Sequence, residues 1–175
     1  MAFAYSIHNQ SGTHFVTFTV HQWVDVFTRK AYVDIVLENL HYCQQHKGLK
    51  IYAWVIMSNH CHLIIRTEEF KLSDVIRDFK KYTAKRIMEA IETNEQESRK
   101  RWLTWLLKKE GHIWFWEEGY HGEEITSKDF FDSKVQYIHL NPLRAGIVQK
   151  EEEYRYSSCC DFYGTRKGLL DLELA

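Results

Sequence analysis

Three observations in the sequence predict an α+β sandwich, with a central antiparallel sheet and helices packed on it. Some runs alternate apolar and polar residues or are continuously rich in β-branched and aromatic ones. Longer runs carry apolar residues at helical spacing, and the two kinds interleave along one chain of 175 residues. That length fits one domain with one real core, so residues 1–175 read as a single domain without linker or repeat.

HFVTFTV (14–20) alternates Val16, Phe18 and Val20 with Thr17 and Thr19, a half-exposed strand. A helix follows, with Thr28 as the expected N-cap, Val33, Leu37 and Leu40 at helical spacing, and Gly48 as the C′ residue. LKIYAWVIM (49–57) and HCHLIIR (60–66), joined by Ser58-Asn59, read as a hairpin. Residues 71–92 form a second helix facing Leu72, Val75, Ile76, Phe79, Ile87 and Ile91 inward. Asn94 with Glu97 resembles a capping box opening a third helix to about Lys109, closed near Gly111. The aromatic stretch 112–125 contains a strand, and Ser127 caps a last helix that Pro142 is expected to end. This order describes an elaborated ferredoxin-like sandwich with an added C-terminal helix.

The 23 Lys/Arg nearly cancel the 24 Asp/Glu, so net charge points to no partner. Charge is uneven, however: residues 71–110 hold eleven basic side chains against seven acidic ones. Arg77, Lys81 and Lys85 form a four-residue stripe on the second helix with Lys80 beside them, which is either a solvated face or a phosphate-binding one. Cys43, Cys61, Cys159 and Cys160 have neither disulfide-framework nor metal spacing, which predicts a reducing, cytoplasmic setting. The N-terminal MAFAYSIHNQ lacks a signal pattern, and no apolar run is long enough to span a membrane.

Chemistry concentrates in two places. In VIMSNHCHLII (55–65), strand alternation puts His60 and His62 on one face and Cys61, Leu63 and Ile65 on the other. The pair is either two hydrogen-bonded imidazoles near the core or two ligands of a divalent ion. In the last helix Phe131, Val135 and Ile138 make an apolar stripe, while Lys134, Tyr137 and Asn141 share another. Asn141 can add an oxygen ligand, and a mixed imidazole and amide set with open positions suits Mg²⁺ or Mn²⁺. Structural zinc would need differently spaced cysteines, and barrel-strand zinc hydrolases need a longer chain. Tyr137 taken alone is a packing tyrosine, and becomes a nucleophile only with help.

The two motifs together are specific. VIMSNHCHLII resembles the histidine–hydrophobe–histidine (HUH) motif of single-strand DNA nucleases, with Cys61 in the hydrophobic slot. YIHLNPLRAGIV (137–148) resembles the tyrosine helix of the REP-associated tyrosine transposases, and the likeness extends to IYAWV, FKLSDVIRDFKKYTAKR and EEYRYSSCCDFYG. Ser58 stands where that family usually has proline. The resemblance implies His60, His62 and Asn141 as metal ligands and Tyr137 as the nucleophile. The implied activity is cleavage and rejoining of single-stranded DNA beside hairpins, through a 5′-phosphotyrosine. One tyrosine per site then calls for a homodimer or two sequential events. Arg77, Lys80, Lys81, Lys85 and Arg144 are the expected DNA contacts, with Trp114, Trp116 and Tyr120 as base-stacking or core residues. His139, on another helical face from Tyr137, is a candidate proton acceptor or a supporting residue. Two rival readings are a hairpin-binding module without catalysis and a metal-dependent phosphodiesterase that uses water.

Overall fold

The computed structural model describes residues 7–174; residues 1–6, within the N-terminal stretch read for a signal pattern, and residue 175 lie outside it. The chain runs β1 (His14–Thr19), α1 (Lys30–His46), β2 (Leu49–Ile56), β3 (His60–Thr67), α2 (Leu72–Thr93) and α3 (Lys100–Leu107). A two-stranded ribbon, β4 (Lys108–Lys109) and β5 (His112–Ile113), follows, then β6 (His121–Glu124), α4 (Lys128–Arg144) and α5 (Cys159–Tyr163). The main sheet has the order β2-β3-β1-β6, antiparallel throughout, which is the ferredoxin-like arrangement the sequence predicts.

The sheet separates two apolar clusters. On one face Val16, Phe18, Trp54, Cys61, Leu63 and Ile65 are buried together with the inward residues of α1 and α2. On the other, Phe15, Ala53, Val55 and Ile64 pack with Ile138, Phe131 and Val135 of α4. In β2 the register shifts between Ile51 and Ala53, a bulge that turns both Tyr52 and Ala53 toward α4. Tyr52 meets Phe131 edge-on there, with ring centroids 5.9 Å apart.

The outer edge of β2 is closed by the tail. Ile56 N–H donates to Tyr156 O, Ser158 N–H to Trp54 O and Glu173 N–H to Ile51 O, and the Tyr154 hydroxyl donates to Ile56 O at 2.7 Å. An edge strand covered in this way has no free row of donors and acceptors to recruit another chain. All four cysteines are buried free thiols, and among the described residues no helix is long and apolar enough to cross a membrane.

Three boundary expectations are corrected. Thr28 does not cap α1: Arg29 occupies the cap position without a side-chain cap bond and sends its guanidinium to Glu97. Nor do Asn94 and Glu97 form a capping box. Asn94 ends α2, α3 starts later and stops at Leu107, and Glu97 is a buried carboxylate. It accepts from Arg29 Nε at 2.7 Å, Arg99 Nε at 3.1 Å and the Tyr32 hydroxyl at 3.1 Å. Finally, α4 continues through Pro142 to Arg144, and Gly146 just beyond its cap has a left-handed φ of 72°.

Burial alone would raise the Glu97 pKa, but hydrogen bonds and charge from Arg99 and Arg29 outweigh it and hold the carboxyl down at about 2. Replacing it leaves two partly exposed guanidiniums unpaired. Glu97→Gln is expected to destabilise the fold by about 2–3 kcal/mol, read from urea unfolding at neutral pH. The loss should shrink as pH falls from the usual carboxylate range toward 2, where the parent carboxylate protonates too.

Candidate active site

The alternation of β3 sets the site. Cys61, Leu63 and Ile65 are fixed under α1 and α2, so His60 and His62 must emerge on the α4 side. Their ring centroids lie 4.7 Å apart. His62 is buried, stacks on Phe15 at 5.4 Å and meets the Tyr137 ring edge-on at 5.2 Å. Tyr137 also meets Phe15 edge-on at 5.9 Å and remains 40% exposed. Helix α4 delivers it there because Ser127 caps the N-terminus, accepting from Phe130 N–H. Phe131, Val135 and Ile138 then seat the opposite stripe on the sheet.

The hydrogen bonds decide which imidazole nitrogens are free. The Asn59 amide nitrogen donates to Trp23 O at 3.1 Å, which turns its oxygen to His60 Nδ1 at 2.7 Å. An amide oxygen only accepts, so His60 carries its proton on Nδ1 and keeps a lone pair on Nε2. His62 Nδ1 pairs with the Thr17 hydroxyl at 2.8 Å, which leaves its Nε2 available as well. Burial lowers the His60 pKa. Burial, with His60 and Lys134 nearby, lowers that of His62 to about 3. Both rings are therefore neutral at physiological pH, the form that binds a metal.

A groove of about 350 Å³ opens beside His62, between Phe15 and Thr17 of β1, Glu123 of β6, and Lys134 and Tyr137 of α4. The Lys134 ammonium lies 4.3 Å from the Phe15 ring centre and pairs with Glu123 at 2.9 Å. Asn141, half-buried, follows Tyr137 by one turn on the same unbroken helix. Arg144 is exposed, and its guanidinium carbon is 6.0 Å from the Tyr137 ring centre.

The other expected residues go elsewhere. Arg77, Lys80, Lys81 and Lys85 belong to α2, across the sheet from the histidines. Lys80 donates to Glu117 O at 2.9 Å and Gly119 O at 2.5 Å, and burial lowers its pKa to about 8. Arg77 is paired with Asp74 and Asp78. Trp116 is a core residue whose indole N–H donates to Thr83 Oγ1 at 3.0 Å, and Tyr120 packs edge-on against Phe18; Trp114 alone of that group is exposed. His139 is buried under the tail, 2.9 Å from Ser158 Oγ and edge-on to Phe162. It is a structural residue, and burial lowers its pKa to about 4.

Sequence reading missed Asn59, Thr17 and Trp23. Asn59 sat in view as the residue before His60 but read as a turn. Trp23 lies in a loop whose backbone is left-handed at both Gln22 (φ 54°) and Trp23 (φ 56°), a strained pair that no local pattern announces.

The low histidine pKa values carry a stability consequence. The unfolded chain takes up protons near pH 6.5, whereas folded His62 and His139 resist them to about 3 and 4. Stability from these groups is complete above pH 6.5 and declines as pH falls. The urea midpoint should therefore drop between pH 6.5 and 4, and His139→Gln should flatten that decline.

Comparisons with known proteins bear on the family and the fold. The family described as IS200-like transposases matches residues 8–141, from before β1 through Asn141. The solved structure of a REP-associated tyrosine transposase bound to a REP hairpin is similar at a TM-score of 0.71 and 18% identity, over 100% of this chain and 92% of that one. A proposed transposase from Deinococcus radiodurans R1 aligns at 18% identity and a TM-score of 0.47, over 72% of this chain and 87% of that one. No curated protein matches the chain. The first of these structures bears out the fold, and the matched segment contains the histidine motif and the Tyr137–Asn141 start of the second: the chain belongs to the IS200-like transposase family.

Proposed function

We propose that the protein is a single-tyrosine strand transferase that cuts and rejoins single-stranded DNA beside hairpins. The observation that carries this reading is the contact of the Tyr137 ring with His62, beside a His60 whose free Nε2 is fixed by Asn59. The donor set fits Mg²⁺ or Mn²⁺: two neutral imidazoles, with the Asn141 amide on the nucleophile's own helix. Such an ion supplies Lewis-acid polarisation of the scissile phosphate.

The Tyr137 oxygen attacks phosphorus, an O–P bond forms, and the bond to the 3′ oxygen breaks. The phenol proton leaves to solvent, and the departing oxygen takes one up as a 3′-OH. The phosphotyrosine conserves the bond energy, so a 3′-OH can reverse the step and join strands. Lys134 and Arg144 are the cations beside Tyr137 and would hold the phosphates. The α2 stripe would meet only DNA that passes around the fold. One nucleophile per site requires two protomers or two successive reactions for a complete transfer. The buried free thiols fit a reducing cytoplasm. A hairpin as partner is supported by the hairpin bound to the similar transposase.

Labelled hairpin oligonucleotides with single-stranded flanks, incubated with Mn²⁺ and run on a denaturing gel, test the reaction. The expected result is label at the mass of the protein, absent with Tyr137→Phe and with EDTA. Cleavage that survives Tyr137→Phe would instead mark a water-using phosphodiesterase, and hairpin binding without any cleavage a binding module. Asn59→Ala should weaken Mn²⁺ binding by roughly 10- to 100-fold in calorimetry, because the His60 ring loses its orienting acceptor.

A further inference from the structure

Helix α3 wears its side chains in an unusual way. Leu103, Leu106 and Leu107 are buried, while its two tryptophans, Trp102 and Trp105, stand outward at 49% and 67% exposure. Trp23, 61% exposed on its left-handed loop, faces the same space. The three indoles line a groove of about 480 Å³ with Gln22, Arg99 and Lys109. Exposed tryptophans gathered on one surface mark a recognition site.

The groove adjoins the histidines: the Trp23 ring meets the His60 ring edge-on at 5.6 Å. Its lining carries two cations, Arg99 and Lys109, and one carboxylate. Asp25, the acidic side chain in the lining, accepts from Ser58 Oγ, and Arg99 is held by Glu97. Among the described residues Lys109 has no ion-pair partner, so its ammonium is free to meet a phosphate.

We propose that this groove binds unpaired nucleotides flanking the scissile phosphate, their bases stacking on Trp23, Trp102 and Trp105 and their backbone meeting Lys109. Indole faces stack on any base, and a nearby cation tracks the phosphates, the combination that holds single strands without reading sequence. The inference rests on the strand-transferase reading and adds where the strand runs: from the Tyr137 groove past His60 and Trp23 onto α3. The strain at Gln22 and Trp23 serves both sites, aiming the Trp23 carbonyl at Asn59 and its ring at the groove.

The test uses Tyr137→Phe protein, so that strands stay intact, with and without Trp102→Ala plus Trp105→Ala. Three fluorescein-labelled probes are compared by anisotropy: a blunt hairpin, the hairpin with an oligothymidine flank, and the same flank built of abasic residues. Binding of the thymidine flank should weaken roughly 5- to 100-fold in the double variant, with little change for the other two. Trp105→Phe, which keeps an aromatic face, should retain most of the affinity. Equal loss on all three probes, or none, overturns the proposal. Unchanged DNA binding with lost self-association would make the groove an interface between copies instead. Adduct formation by the Tyr137 protein is assayed in parallel. An adduct without a tryptophan effect removes the groove and keeps the reaction; a tryptophan effect without an adduct removes the reaction and keeps the groove.

Discussion

The period-two alternation of β3 is the constraint on which the rest depends. A central strand with neighbours on both sides has no freedom to rotate: three apolar residues beneath the helix layer oblige the intervening histidines to face the other way. A one-residue slip in register would bury His60 and His62 under α1 and α2 and turn Cys61, Leu63 and Ile65 toward α4. Pairing on both sides, with β1 and β2, makes that slip costly. The same core packing that stabilises the sheet thus places the imidazoles.

Once the histidines are placed, two neighbouring pieces of chain orient them. The β1–α1 connection is stitched to the β2–β3 turn by Val20 N–H to Asn59 O and Phe27 N–H to Ser58 O, both at 2.8 Å. Ser58 Oγ adds a bond to Asp25 at 2.6 Å. Ser58 therefore supplies a side-chain tether at this turn. Through this seam the loop reaches Asn59, and Asn59 sets the His60 tautomer. On the other side, Thr17 holds His62 from the paired position on β1.

Much of this was legible in the sequence, and where it failed the reasons are physical. The histidine face, the Tyr137 stripe and its apolar counter-stripe followed from periodicity, because side-chain direction in strands and helices is a local property. Caps were less legible: Thr28 and Glu97 have the right residue types, but a buried carboxylate with two arginines out-competes a local cap, and that cluster joins two separate segments. The basic stripe on α2 was visible, yet which face of the sheet it occupies depends on topology. Trp23 and Asn59 were hidden for a similar reason, since the bond between them spans two loops. Lys80 and Trp116 show that type and spacing alone cannot separate a binding residue from a bolt in the core.

The tail that closes the β2 edge also determines when the site can be finished. Ser158 grips the Trp54 backbone on one side and His139 of α4 on the other, so it is the clasp between the sheet and the helix that bears Tyr137. That clasp is encoded downstream of both elements it joins. During synthesis the histidines and the tyrosine emerge first, and α4 becomes firmly seated on the sheet only once Ser158 has followed them. The groove between His62 and Tyr137 is therefore among the last parts of the fold to become rigid.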